Sequence, residues 1–218
     1  MRIWNADGRA VTVDELLGKA PVLPVISVSR LEDAVPLARA LVDAGLPVLE
    51  LTLRTDVALA AIHAIRHAVR GAVIGAGTVL DANALAAVAE AGAEFAISPG
   101  ATDALYAAAE RASLPWIPAV ASASEIMRGL EHGHRRFKFF PAEAAGGVSA
   151  LKSFASPFPQ VRFCPTGGID AGSAPRYLAL PNVITLGGSW MVPGTLLAAR
   201  DWTQIGALAR AAAGLRAA

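Results

Sequence analysis

Short apolar segments recur along the chain, beginning near Val22, Val48, Val73, Glu94, Pro115, Arg135, Val161 and Val183. Alanine-rich stretches follow them with apolar residues at helical spacing, over 31–44, 57–69, 83–91, 103–112 and 124–132. Gly45, Gly71, Gly92 and Gly133 stand where a helix end needs a left-handed residue, and Asp81 and Thr102 stand as N-caps. Strands alternating with helices predict a parallel sheet, and eight such units are the number that closes a (β/α)8 TIM barrel. The expectation is a single α/β domain over 1–218, with a short helix at 13–19 covering the barrel bottom and a last helix at 203–213. An open doubly wound sheet is the competing architecture. It would carry a glycine fingerprint after its first strand, whereas here Gly75-Ala76-Gly77 follows the third strand and Leu80 stands where a further glycine belongs.

Alternation within the strands separates two faces. In the second strand Leu49, Leu51 and Leu53 share one side, suited to packing under helices, while Glu50, Thr52 and Arg54 share the other. A carboxylate and a guanidinium thus converge on the barrel mouth, as substrate groups or as a structural ion pair. In the sixth strand Phe137 and Phe139 point one way, Lys138 and Phe140 the other, and Pro141 stops the run. Lys138 is unusual for its chemistry: the chain has three lysines, Lys19, Lys138 and Lys152, against sixteen arginines. An amine moved into low dielectric loses part of its preference for the charged form and becomes nucleophilic, which a guanidinium does not. The structural alternative is a lysine whose stem is packed and whose head reaches water.

Loops at the strand ends add polar groups. The third strand ends at Gly77-Thr78 and the fourth at Ser98-Pro99-Gly100, each of which also fits an ordinary turn. The seventh and eighth end in a matching pair, Thr166-Gly167-Gly168 and Gly187-Gly188-Ser189. Glycines let backbone amides approach an anion, and these two loops are where a barrel often binds phosphate. Tight turns chosen for brevity are the alternative. His63, His67, His132 and His134 read as structural or solvent-facing, and no cluster of His, Asp and Glu suggests a metal site.

Composition narrows the classes. Hydrophobic residues make up 54% and charged residues 17%, enough for a large core, with some apolar surface expected to be buried against another copy of the chain. Net charge is +1 with the arginines scattered, which leaves no nucleic-acid footprint. The opening Met1-Arg2-Ile3-Trp4-Asn5-Ala6-Asp7-Gly8 lacks the apolar run of a signal peptide, and no stretch of about 18 apolar residues could span a bilayer. With a single cysteine, Cys164, which reads as a small buried core residue, a cytoplasmic location is expected.

Together these residues resemble a known family. Leu-Glu-Leu-Thr-Leu-Arg-Thr at 49–55, Gly-Ala-Gly-Thr-Val-Leu at 75–80, Ser-Pro-Gly at 98–100, Phe-Lys-Phe-Phe-Pro-Ala-Glu at 137–143 and Val-Arg-Phe-Cys-Pro-Thr-Gly-Gly-Ile at 161–169 are similar to 2-dehydro-3-deoxy-6-phosphogluconate aldolases, class I Schiff-base enzymes. The resemblance runs in order over about 20–195. It implies a homotrimeric barrel that needs no cofactor or metal and cleaves that sugar acid phosphate to pyruvate and glyceraldehyde 3-phosphate. Carried over position by position, it implies Lys138 as the Schiff-base amine and Glu50 as the acid/base group. It places Arg54 and Thr78 at the pyruvyl carboxylate, Pro99 and Phe140 on the pocket wall, and Thr166, Gly167, Gly168 and Ser189 at the phosphate, beside Gly187 and Gly188. One departure falls at 119–125, Ala-Val-Ala-Ser-Ala-Ser-Glu, where the family more often has glycine and then threonine-proline; Ser122 keeps a hydroxyl. Relatives acting mainly on 4-hydroxy-2-oxoglutarate or on the galactonate epimer remain alternatives. A metal-dependent pyruvate aldolase lacks its ligands here, a sugar-phosphate isomerase has no use for the buried amine, and a non-catalytic phosphate-binding barrel has no need of Lys138 or Glu50.

Overall fold

A computed structural model describes residues 5–215; Met1 to Trp4, part of the opening segment read above, lie outside the described residues. The chain alternates strand and helix, and every strand pairing is parallel. The strands are β1 (Val22–Ile26), β2 (Val48–Thr52), β3 (Val73–Gly77), β4 (Ala96–Ile97), β5 (Trp116–Ile117), β6 (Ala119–Val120), β7 (Arg136–Phe139), β8 (Arg162–Pro165) and β9 (Leu186–Gly188). Six form a curled sheet in the order β5-β4-β3-β2-β1-β9, and three form a second sheet in the order β6-β7-β8. The fifth predicted strand is split in two because Pro118 interrupts it; a proline has no N–H for the ladder, although its carbonyl accepts from Lys138 N–H at 3.0 Å. Isolated bridges join Phe163 to Val183 and Thr166 to Gly187.

Faces alternate as the pattern requires. Leu49, Leu51, Phe137, Phe139 and Phe163 are buried in one cluster with helix residues such as Leu37, Ile62 and Leu151. Each of these large side chains contributes about 1.5–3 kcal/mol by leaving water. A second cluster occupies the opposite face: Leu23, Val48, Phe95, Ile97, Ile117 and Cys164. Val13 and Leu17 of the N-terminal helix complete it. That helix runs Ala6–Leu17, seven residues earlier than the expected start at 13, because the Asn5 side chain caps it by accepting from Gly8 N–H at 2.7 Å. It buries Arg9 as well as apolar residues, and a hydrophobic pattern does not count an arginine.

The expected helix ends hold in detail. Gly45, Gly71, Gly92 and Gly133 all have positive φ, between 73° and 93°. Asp81 and Thr102 cap their helices by accepting from Ala84 and Leu105 N–H. Three helices were not read from the pattern: Gly147–Ala155, Ala174–Leu178 and Gly194–Ala199. The first follows Gly146 and opens with Gly147, both at positive φ, so its start looks like a break. Among the described residues no helix is long and apolar enough to cross a membrane.

Candidate active site

Two side chains meet inside the sheet. Glu50 on β2 and Lys138 on β7 lie 88 residues apart in sequence, and the lysine Nζ is 2.9 Å from Glu50 Oε1. Their side chains are 1% and 7% exposed, so this is a buried ion pair rather than a lysine reaching for water. Alternation brings them there: Glu50 is on the same face as Val48, and Lys138 stands in register with Cys164, both lining the second cluster. Phe140, two residues on, holds its ring centroid 5.6 Å from the amine, within cation–π range. The other carboxylate oxygen, Glu50 Oε2, is buried with no partner among the described residues, and so is free to accept from a hydroxyl or a water.

Gly77 makes the pair possible. A Cβ at that position would lie 2.2 Å from Glu50 Oε1, and one at Gly75 would lie 2.3 Å from the Phe95 ring. Two glycines two apart on the inner face of β3 therefore leave room for one catalytic candidate and one core ring. The signal is present in the sequence as Gly-x-Gly at strand period, although the neighbours that the two glycines make room for are not.

The remaining predicted residues gather around the same strand ends with different degrees of engagement. Thr52 Oγ1 donates to Ile26 O at 3.0 Å and accepts from Arg54 Nε at 2.9 Å, which orients an otherwise exposed guanidinium. Thr78 is half-buried with φ at 61°, an uncommon backbone for a β-branched residue and one that aims the turn after β3. Pro99 is exposed just beyond β4. Thr166 is buried, while Gly167 and Gly168 turn with φ of 106° and 79°. Gly187 and Gly188 have a packing reason to be glycine: Cβ atoms there would lie 2.2 Å from Thr166 Oγ1 and 1.9 Å from the Trp190 ring. Ser189 is exposed at the end of β9, its carbonyl accepting from Val192 N–H at 2.9 Å. Ser122 is committed elsewhere, closing a capping box with Glu125 at the start of the helix Ala123–Glu131.

Cys164 is no nucleophile, since burial pushes its thiol up to about 12 and keeps it protonated. His134 is held neutral at the other end of β7: burial, with Arg9 and His132 nearby, lowers it to about 3. The rings of His63 and His67 lie 4.2 Å apart on one helix, tilted by 39°. Among the described residues no group of three or more His, Cys, Asp or Glu side chains is placed to hold a metal ion.

Comparison with known proteins shows the family. The sequence model of the aldolase family described as KDPG and KHG aldolase matches residues 13–208. A protein of Escherichia coli (strain K12) named KHG/KDPG aldolase is 53% identical over 212 residues, 97% of each chain. A 2-dehydro-3-deoxy-phosphogluconate aldolase of Zymomonas mobilis is 51% identical over 206 residues, covering 94% of this chain and 96% of its own. The crystal structure of a Legionella pneumophila KDPG aldolase, with pyruvate captured as a covalent carbinolamine, superposes with a TM-score of 0.90 at 47% identity, covering 92% of this chain and 98% of that one. With a buried lysine–carboxylate pair at its centre and a family match over most of its length, this chain belongs to the KDPG and KHG aldolase family.

Proposed function

We propose that this protein is a Schiff-base-forming aldehyde-lyase that cleaves 2-dehydro-3-deoxy-6-phosphogluconate to pyruvate and glyceraldehyde 3-phosphate. The observation that carries the reading is the 2.9 Å contact between Lys138 Nζ and Glu50 Oε1 inside the sheet. Proton transfer across that contact frees the amine to attack the substrate ketone at C2. The carboxyl returns that proton to the ketone oxygen, which takes a second from the attacking nitrogen and leaves as water; this gives an iminium and an ionised Glu50, and the iminium draws electrons from the C3–C4 bond more strongly than a ketone does. Glu50 takes the C4 hydroxyl proton as that bond breaks, the aldehyde leaves, and the bonding pair becomes the enamine. The same carboxyl returns a proton to C3, and hydrolysis of the regenerated iminium releases pyruvate and the amine.

The other residues divide along the substrate. Arg54 and Thr78 are assigned to the carboxylate end, Arg54 in the orientation that Thr52 gives it. Phe140 and Pro99 flank the reacting carbons. The amides of Gly167 and Gly168, the Thr166 side chain and Ser189 are assigned to the phosphate, with Gly187 and Gly188 shaping that end through Thr166 and Trp190. Closure of the two sheets into one eight-stranded barrel forming a single domain fits the bridges from Phe163 to Val183 and from Thr166 to Gly187. We assign a homotrimer on the family resemblance and the high apolar content, and a cytoplasmic location on the single buried thiol.

Product analysis tests the substrate. The phosphorylated gluconate acid, its C4 epimer and 4-hydroxy-2-oxoglutarate are supplied separately, and pyruvate and the aldehyde are quantified. Fastest and equimolar release of pyruvate and glyceraldehyde 3-phosphate from the gluconate acid is expected. Faster cleavage of either other acid would reassign the substrate, and no pyruvate from any of them would overturn the aldolase reading.

A further inference from the structure

The loops after β7 and β8 are bound side to side. Thr166 N–H donates to Phe139 O at 2.9 Å, Ala142 N–H to Thr166 O at 2.8 Å, and Glu143 N–H to Gly167 O at 3.1 Å. The turn at 166–168 therefore hangs on the segment that leaves Lys138. One side-chain bond completes the attachment: the Tyr177 phenol, on the helix Ala174–Leu178, donates to Glu143 Oε1. Tyr177 is fully buried, and both burial and the carboxylate raise its pKa, so the phenol stays a donor at any working pH. The surroundings are fitted to this bond. A Cβ at Gly168 would lie 2.9 Å from Glu143 Cβ and Cγ, and one at Gly147 would lie 3.0 Å from the Tyr177 hydroxyl. A charged acceptor and a buried donor make a strong, directional bond. Neither side chain has a part in the bond-breaking step.

We propose that Tyr177 and Glu143 are positioning residues that set the preference for a phosphorylated substrate. Their bond fixes the 166–168 turn relative to the strand of Lys138, and with it the distance between the terminal phosphate and the iminium carbon. This rests on the assignment of that turn to the phosphate. Without that bond the turn keeps only its backbone bonds, and the substrate has to supply the rest of its order, which spends binding energy that otherwise positions the reacting bond. A substrate without the phosphate does not draw on the turn's amides and so does not sense the tether.

The test measures kcat and KM on the phosphorylated acid and on 4-hydroxy-2-oxoglutarate for the natural chain, Tyr177→Phe, Glu143→Ala and Glu143→Gln. Phenylalanine keeps the buried ring, and Glu143 is exposed, so these variants keep the core intact. Tyr177→Phe and Glu143→Ala are each expected to raise KM for the phosphorylated acid by roughly tenfold, as loss of a hydrogen bond to a charged group does. Both constants for 4-hydroxy-2-oxoglutarate should stay nearly unchanged. Glu143→Gln, which keeps an acceptor oxygen, should recover most of the loss, and the double variant Tyr177→Phe/Glu143→Ala should be no worse than either single one. Equal losses on both substrates would overturn the proposal by reducing the bond to general stability. So would unchanged constants in a chain whose natural form favours the phosphorylated acid. A natural form with no such preference would overturn the phosphate assignment itself, and the tether's role with it.

Discussion

The two ends of β7 each bury a basic side chain, and they do so in different company. At the C-terminal end Lys138 faces a carboxylate, Glu50, and an aromatic ring. At the N-terminal end Arg9 faces a neutral imidazole, with its Nη1 2.7 Å from His134 Nε2 and 3.3 Å from His132 O. Trp116 and Tyr106 close around His134, edge-on at 5.3 and 5.4 Å. The lower pair has no proton to exchange, since a guanidinium does not give one up and burial keeps the imidazole neutral. It locks the N-terminal helix to the sheet. The upper pair joins an amine to a carboxylate at hydrogen-bond distance, and the second oxygen, Glu50 Oε2, has no partner among the described residues. Buried ion pairs are seldom good for stability, because desolvation offsets most of the attraction. The proposed reaction is what gives this one a use.

Substitutions separate the two pairs, most sharply at Lys138. Lys138→Arg retains bulk and charge but cannot form an imine, so turnover should fall to background while the circular dichroism spectrum is unchanged. Glu50→Gln should still bind pyruvate covalently but turn over slower by roughly 10²- to 10⁴-fold, the usual loss of a general acid or base. Near-normal turnover would make Glu50 a structural partner only. Replacing the pair together, Lys138→Met with Glu50→Leu, should leave stability in urea equal to the natural chain or higher by about 1–4 kcal/mol, with no activity.

The lower pair should behave in the opposite way. Arg9→Ala strands the buried His134 Nε2 and should cost about 1–3 kcal/mol in urea unfolding with turnover close to natural. The smallest effect is a pH slope. His134 sits at about 3 in the folded chain against 6.5 ordinarily, so between these values the unfolded chain binds a proton that the folded one excludes. Stability from this group is complete above pH 6.5 and is lost as pH falls toward 3, by at most ~1.4 kcal/mol per pH unit. Carboxylates contribute over the same range, so the quantity to measure is the slope of the natural chain minus that of His134→Gln. Equal slopes would mean that His134 is protonated in the fold.

Much of this was legible in the sequence, and for an identifiable reason. A strand has period two, so Glu50 could be set on the face opposite Leu49 and Leu51, and Lys138 on the face opposite Phe137 and Phe139, from their neighbours alone. Helix ends were legible where glycine must take positive φ, as at Gly45, Gly71, Gly92 and Gly133. Their direct contact was not legible, because the position of β2 relative to β7 depends on how the whole sheet curls. Nor were interactions in which a glycine matters for the side chain beside it. Gly77 makes room for Glu50 and Gly188 for Trp190, and in both cases the neighbour is known only once the backbone is placed. The early start of the N-terminal helix was missed because Arg9, buried against His134, reads as a surface residue.

The claim that the buried amine on β7 is the reacting group is tested most directly by trapping. The natural chain is incubated with pyruvate and a hydride reductant, digested, and mapped by mass spectrometry. The account predicts one reduced pyruvyl group per chain on Lys138, and none on the exposed Lys19 or Lys152. An adduct on either of those, or no adduct on Lys138 at saturating pyruvate, would contradict it.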